Sequence, residues 1–317
     1  MHSDTASRSA AAIRDVTLRD GLQLTGALLS TARKVELIRA LLALGVPELE
    51  IGSMARPDLV PPLANTLDVI AELSPSELDR CWVWVATPGH VKRAGQAGAI
   101  RFQYCLSASE SHNRANIGRD VETSMDAFPE AAQAARDFKG LIQLAIATAF
   151  TCPFEGPTAV DRVLDLTCDP RIAAASDVVL CDTLGQAVPN EVTQLFHAVR
   201  TRDPERSVAF HGHDTWGLGV ANSIAALDAG ARFVDATLGG LGGCRFAPGA
   251  SGNVALEDLV FALRPDWLTP ERFRSMVSLS NGLLTDLDEP VRSQASRAAM
   301  STPRGFDWAV ADSQRPE

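Results

Sequence analysis

The sequence predicts an α/β protein: a (β/α)8 TIM barrel followed by extra C-terminal helices. Three observations predict it. Eight short apolar runs alternate with eight helix-like stretches over about 250 residues, the span and rhythm of such a barrel. The composition, 46% hydrophobic and 21% charged over 317 residues, suits one large globular unit. Finally, the polar residues with chemical potential fall at the ends of the apolar runs, where a barrel keeps its active site. A doubly wound open sheet is the competing architecture, but it needs fewer strands and a glycine-rich first turn. The nearest dinucleotide-type motif, Gly217-Leu218-Gly219-Val220-Ala221-Asn222, lacks the third glycine.

The predicted strands are Ile13–Leu18, Val46–Ile51, Cys81–Ala86, Ala99–Leu106, Leu141–Thr148, Asp177–Asp182, Ser207–His213 and Arg232–Leu238. The first predicted helix, Thr31–Leu44, repeats Val35, Leu37, Ile38, Leu41 and Leu42 at helical spacing and stops at Gly45. Leu59–Leu73, Pro88–Ala97, Asp120–Phe138, Ala159–Thr167, Asn190–Thr201, Gly217–Ala229 and Val254–Leu263 complete the set. After Leu263 the rhythm changes, and Arg272–Leu284 and Glu289–Met300 read as two further helices. The expected organisation is therefore a flexible N-terminus over 1–12, the catalytic barrel over 13–263, additional helices over 264–300 and a loosely ordered polar tail over 301–317.

A net charge of −10 argues against nucleic-acid and anionic-membrane partners. No run approaches the roughly 18 apolar residues of a membrane span, and the N-terminus lacks a secretion signal. Six scattered cysteines without a CxxC pair read as reduced thiols of a cytoplasmic protein.

His211 and His213 close the seventh strand. Residues two apart on a strand share a face, about 6.6 Å apart along the chain, so two imidazoles can converge on one ion. Arg19 and Asp20 follow the first strand, Glu50 ends the second among apolar neighbours, and Asp182-Thr183 ends the sixth. Asp20, His211, His213 and one further oxygen donor would make a mixed nitrogen and oxygen site suited to Mg²⁺ or Mn²⁺, with Co²⁺ or Zn²⁺ as competitors. Each residue also has a plainer reading. The histidines could bond the backbone, and Asp20 could pair with Arg19 at the surface. Cys244 could be an inert apolar residue, and Asn253 only the cap of Val254–Leu263. The glycines of Gly239–Cys244 (GGLGGC), with Gly249 and Gly252, imply a mobile loop over the mouth. What the plain readings leave unexplained is the joint placement of these residues at strand ends.

Several motifs together resemble the 3-hydroxy-3-methylglutaryl-CoA lyase family of metal-dependent TIM-barrel enzymes. They are Thr17-Leu18-Arg19-Asp20-Gly21-Leu22-Gln23, His211-Gly212-His213-Asp214-Thr215, Gly240–Cys244 and Gly249–Val254. Cys152–Gly156, Asp182–Gly185 and Ser107–Glu110 with Asn116 are similar to further lyase motifs. The likeness implies Asp20, His211, His213 and Asn253 as metal ligands and Arg19 as the group that stabilises a developing enolate or carbonyl oxygen. Glu50 and Asp182 would orient the ligands or the substrate hydroxyl, and Cys244 would ride on a closing lid. Gln23, Ser53, Asn116, Thr183 and Glu257 join them as substrate-binding or supporting residues. The implied reaction is a retro-Claisen cleavage, in which Asp20 or His211 takes the tertiary hydroxyl proton and the bond breaks to a ketone and a thioester enolate. The substrate would be a small molecule, an acyl-CoA, and the family suggests a homodimer or higher homo-oligomer.

The chain departs from the family pattern at the acyl end. Leu24-Thr25-Gly26 stands where a lysine-bearing stretch is usual, Arg56 adds a charge, and Arg245-Phe246 replaces Pro-Tyr. The reading is thus a lyase for 3-hydroxy-3-methylglutaryl-CoA or a close analogue. The alternatives are a condensing acyltransferase of the isopropylmalate or citramalate synthase type, a metal-dependent 4-hydroxy-2-oxo acid aldolase, and a barrel that binds without catalysing.

Overall fold

The computed structural model describes residues 12–243, 251–301 and 306–310. Eight parallel strands close into a barrel: β1 (Ala12–Asp15), β2 (Glu48–Ser53), β3 (Cys81–Val85), β4 (Arg101–Ser107), β5 (Leu141–Ala147), β6 (Val178–Asp182), β7 (Val208–Gly212) and β8 (Phe233–Ala236). Each pairs with its neighbours in sequence, and β1 pairs with β8 to seal the ring, with Arg14 set in register against Asp235. The predicted architecture is therefore the observed one, and all eight predicted strands are present.

Around the barrel run α1 (Thr31–Leu44), α2 (Thr66–Ala71), α3 (Pro88–Gln96), α4 (Val121–Asp137), α5 (Val160–Thr167), α6 (Pro189–Arg202), α7 (Gly219–Asp228) and α8 (Leu256–Leu263). Local chemistry sets their ends. Ser30 caps α1 by accepting the Arg33 amide, and Gly45 stops it at φ 102°, where a Cβ is disfavoured. Asp120 caps α4 through the Thr123 amide. The expected helix over 59–73 is shorter, because the two prolines of Pro61–Leu63 turn the chain once before α2 begins.

The first strand also ends earlier than expected. Beyond Asp15 the chain tightens into a π-helical turn, Thr17–Gly21, in which the Gly21 amide donates to Val16 and the Leu22 amide to Thr17. Arg19 and Asp20 thus project from a turn at the barrel mouth rather than from a strand.

Two further helices, α9 (Pro270–Leu287) and α10 (Gln294–Ser301), follow the barrel as expected. The stretch read as a polar tail is partly packed: Trp308 meets Phe261 and Phe273 edge-on, and Val310 is buried with its amide donating to Ala299. No helix among the described residues is long and apolar enough to cross a membrane.

Candidate active site

The mouth of the barrel gathers Asp20, His211 and His213, whose ligand-type atoms all lie within 4.8 Å of one another. All three are buried. His213 Nε2 stands 3.3 Å from Asp20 Oδ2 and His211 Nε2 stands 4.0 Å from the same oxygen, with the two rings 5.3 Å apart. β7 ends at Gly212, and His213 forms an isolated bridge with Asn253. That bridge brings the loop before α8 against the histidine pair. Asn253 Nδ2 donates to Asp20 Oδ2 at 2.7 Å and to the Leu241 carbonyl at 3.1 Å. Asn253 is therefore not the cap of α8, whose first turn begins after Ala255.

Among the described residues, Asn253 Oδ1 is buried without a hydrogen-bond partner, as is His213 Nδ1. A buried amide oxygen left unpaired costs about 1–3 kcal/mol, so the arrangement is more than a packing solution. Two imidazoles, a carboxylate and an unpaired amide oxygen fit a divalent ion that accepts mixed nitrogen and oxygen ligands.

Asp20 also takes a hydrogen bond from Arg19 Nη1. Full burial works against its ionisation, but Arg19 and then His213 and His211 outweigh that and hold its carboxyl well below the usual range. With Arg19 on one oxygen and Asn253 and His213 on the other, Asp20 is an anchored anion and a poor proton acceptor. Its surface-pair reading falls for the same reason. Arg19 is fixed in turn by Glu50, whose Oε2 accepts from Arg19 Nε at 2.5 Å and whose Oε1 accepts from Gln103 Nε2 at 2.7 Å. Burial pushes the Glu50 carboxyl up, while Arg19 and Arg14 pull against it.

A cavity of about 470 Å³ opens from this cluster, and Gln23, Ser53, Asn116 and Thr183 all line it. Its small, apolar inner wall is Cys105, Ala145, Ala147 and Cys181, and its lining includes Arg56 and Arg114, whose side chains are exposed. Thr183 also braces the backbone: its hydroxyl accepts the amide of Thr148, a β-branched residue held at φ 55°.

Asp182 and Glu257 lie outside the cavity lining. Both Asp182 oxygens accept backbone amides, from Gln186 and Ala187, at 3.1 Å, so it shapes the turn after β6. Both Glu257 oxygens accept the Gly239 amide at 3.0 Å, so it anchors the root of the glycine loop. That loop packs tightly where it is described. Gly242 has φ 111°, and a Cβ there would stand 2.5 Å from Asn253 Nδ2. Cys244, Arg245 and Phe246 lie outside the described residues.

The sequence reading missed Arg14, Gln103, Gln143 and Asp235. Arg14 donates to both Asp235 oxygens at 2.8 Å and to Gln103 Oε1 at 2.8 Å, and Gln143 Nε2 donates to the same oxygen at 2.6 Å. Asp235 Oδ2 lies 3.0 Å from His211 Nδ1. One signal could have found them: Gln103, Gln143 and Asp235 interrupt apolar strand runs and Arg14 stands beside Asp15 in another, and burial of such groups is tolerated only with a partner.

A family model described as HMGL-like matches residues 10–281. The chain is 36% identical to an (R)-citramalyl-CoA lyase of Chloroflexus aurantiacus over 95% of its own length and 98% of the relative's. It is 34% identical to a hydroxymethylglutaryl-CoA lyase of Pseudomonas mevalonii over 78% of its length and 83% of that protein's. Among solved structures, an HMG-CoA lyase from Acinetobacter baumannii in complex with coenzyme A and 3-methylmalate superposes with a TM-score of 0.84 at 32% identity, covering 95% of this chain and 98% of that one.

Proposed function

The chain belongs to the HMGL-like family, and from that membership and the geometry of the mouth we propose that it is a divalent-metal-dependent carbon–carbon lyase. Its substrate is 3-hydroxy-3-methylglutaryl-CoA or a closely related 3-hydroxyacyl-CoA with a tertiary hydroxyl, such as the citramalyl thioester, cleaved to acetyl-CoA and a keto acid. The observation that carries this reading is the buried Asp20, His211 and His213 cluster beside the unpaired Asn253 oxygen, at the end of a cavity that also exposes Arg19. The competing condensing and aldolase readings gain no support from the relatives, which are named as CoA-ester lyases.

Asp20, His211, His213 and Asn253 would hold the ion. When bound, a divalent ion supplies polarisation of the substrate hydroxyl, lowering its pKa. Of the two proton acceptors proposed from the sequence, Asp20 is a poor one, since both its oxygens are engaged. His211 would hold the ion through Nε2 and turns Nδ1 to Asp235, so as an ion ligand it too has no free lone pair for that proton. Arg19, clamped between Glu50 and Asp20, is pre-oriented to stabilise the enolate oxygen as charge develops. The small inner wall of Cys105, Ala145, Ala147 and Cys181 is uncharged and suits the alkyl side of the substrate. A homo-oligomer and Mg²⁺ or Mn²⁺ as the resident ion belong to the same proposal.

The test is acetyl-CoA release from both thioesters, with Mg²⁺ or Mn²⁺ and again with chelator, beside His213→Ala. Turnover that needs the metal and vanishes in the variant supports the reading. Turnover of neither thioester by metal-loaded protein would sink it.

A further inference from the structure

A continuous hydrogen-bonded chain runs through the barrel from one side of the cluster to the other. It passes from His211 to Asp235, Arg14, Gln103, Glu50 and Arg19, and returns to Asp20. Arg14, Gln103, Glu50 and Asp235 are all at most 2% exposed. Its direction is set by donor inventory. Arg14 has only donors, and it gives two of them to Asp235. An ionised carboxylate only accepts, so the contact at 3.0 Å between Asp235 Oδ2 and His211 Nδ1 requires the proton on Nδ1.

We propose that Asp235, held by Arg14, is a positioning residue that locks His211 as the Nδ1–H tautomer and so keeps the Nε2 lone pair facing Asp20. Nε2 is the nitrogen that must be bare for His211 to hold a cation. Among the described residues His213 Nδ1 has no such partner, so there the two histidines are inequivalent. The chain's charge points the same way. Two guanidiniums (Arg14, Arg19) face three carboxylates (Asp20, Glu50, Asp235), so one carboxylate has no guanidinium to match it. A buried carboxylate without a matching charge is costly, and a cation held by the cluster would offset it. The proposal rests on the ion-site reading above and is independent of which thioester is cleaved.

The test uses the full-length protein stripped of metal. Mn²⁺ titrated into wild type and Asp235→Asn, followed by electron paramagnetic resonance, should show affinity at least 10-fold weaker in the folded variant, the usual cost of losing a partner behind a metal-bound histidine. Unchanged affinity would overturn the proposal. Should Asp235→Asn fail to fold, the tautomer is read in the wild type by ¹⁵N-histidine NMR, with His211 assigned by its loss in His211→Asn. A proton on Nδ1 supports the proposal, and a proton on Nε2 overturns it. Failure of the wild type to bind Mn²⁺ would remove the ion-site reading, and the NMR result would still decide the role of Asp235.

Discussion

Asn253 Nδ2 donates to Asp20 Oδ2 across 2.7 Å, joining residues 233 positions apart. The bond orients the amide and leaves Oδ1 buried and, among the described residues, unpaired. If that oxygen is an ion ligand, Asn253→Ala removes both a ligand and the orientation of Asp20. The expected outcome is Mn²⁺ affinity lower by roughly 10- to 100-fold, the scale of losing a supporting contact at a metal site. Calorimetric titration checks it, and affinity within twofold of wild type would show that Asn253 is only structural.

Arg19 is held by two carboxylates in a fork that a lysine cannot reproduce. Arg19→Lys keeps the charge and lets the enolate-stabilising donors move. Its kcat for acetyl-CoA release should fall on the order of 10²-fold, with Mn²⁺ affinity much less changed. A variant with wild-type kcat would remove Arg19 from the chemistry.

Gly242 combines φ 111° with a neighbour, Asn253 Nδ2, at 2.5 Å from where a Cβ would sit. Gly242→Ala should therefore cost about 1–3 kcal/mol of stability through backbone strain and push Asn253 out of place. Thermal melting with and without Mn²⁺ separates the effects: the stabilisation that Mn²⁺ adds should shrink in the variant. Equal metal-induced shifts in both proteins would contradict the displacement of Asn253.

Burial pushes the Glu257 carboxyl up to about 7. A folded-state pKa raised above the unfolded value contributes stability that is full below the unfolded pKa and lost as pH rises through the folded one. The loss for Glu257 thus develops between about pH 4.5 and 7, and reaches roughly 3 kcal/mol at most. Glu257→Gln keeps an acceptor for the Gly239 amide and removes the charge. Its Tm relative to wild type should be higher at pH 8 than at pH 5. The same difference at both pH values would mean that Glu257 does not ionise against its environment.

Much of this protein was legible in one dimension. Strand and helix periods are set by local geometry, so alternation of short apolar runs with amphipathic stretches was sufficient to predict the barrel, and the strand ends located Arg19, Asp20, His211 and His213. Two kinds of feature were not. Thr17–Leu18 continue the apolar pattern of β1, yet the chain leaves the sheet at Asp15, because a π turn can satisfy its own amides without a strand partner. The roles of Asp182 and Glu257 depended on which amides came to face their oxygens, and those amides belong to turns whose path no spacing reveals. The buried chain through Arg14, Gln103 and Asp235 was hidden for the same reason. A lone charge inside an apolar strand shows that a partner must exist, but only closing β8 onto β1 sets Asp235 beside Arg14 and within reach of His211. Sequence determined the barrel and the kinds of atom at its mouth, because both follow from local pattern. Tertiary structure decided which polar atoms meet, because, apart from the local Arg19–Asp20 bond and the Asp182 turn, those meetings join residues from different strands and loops.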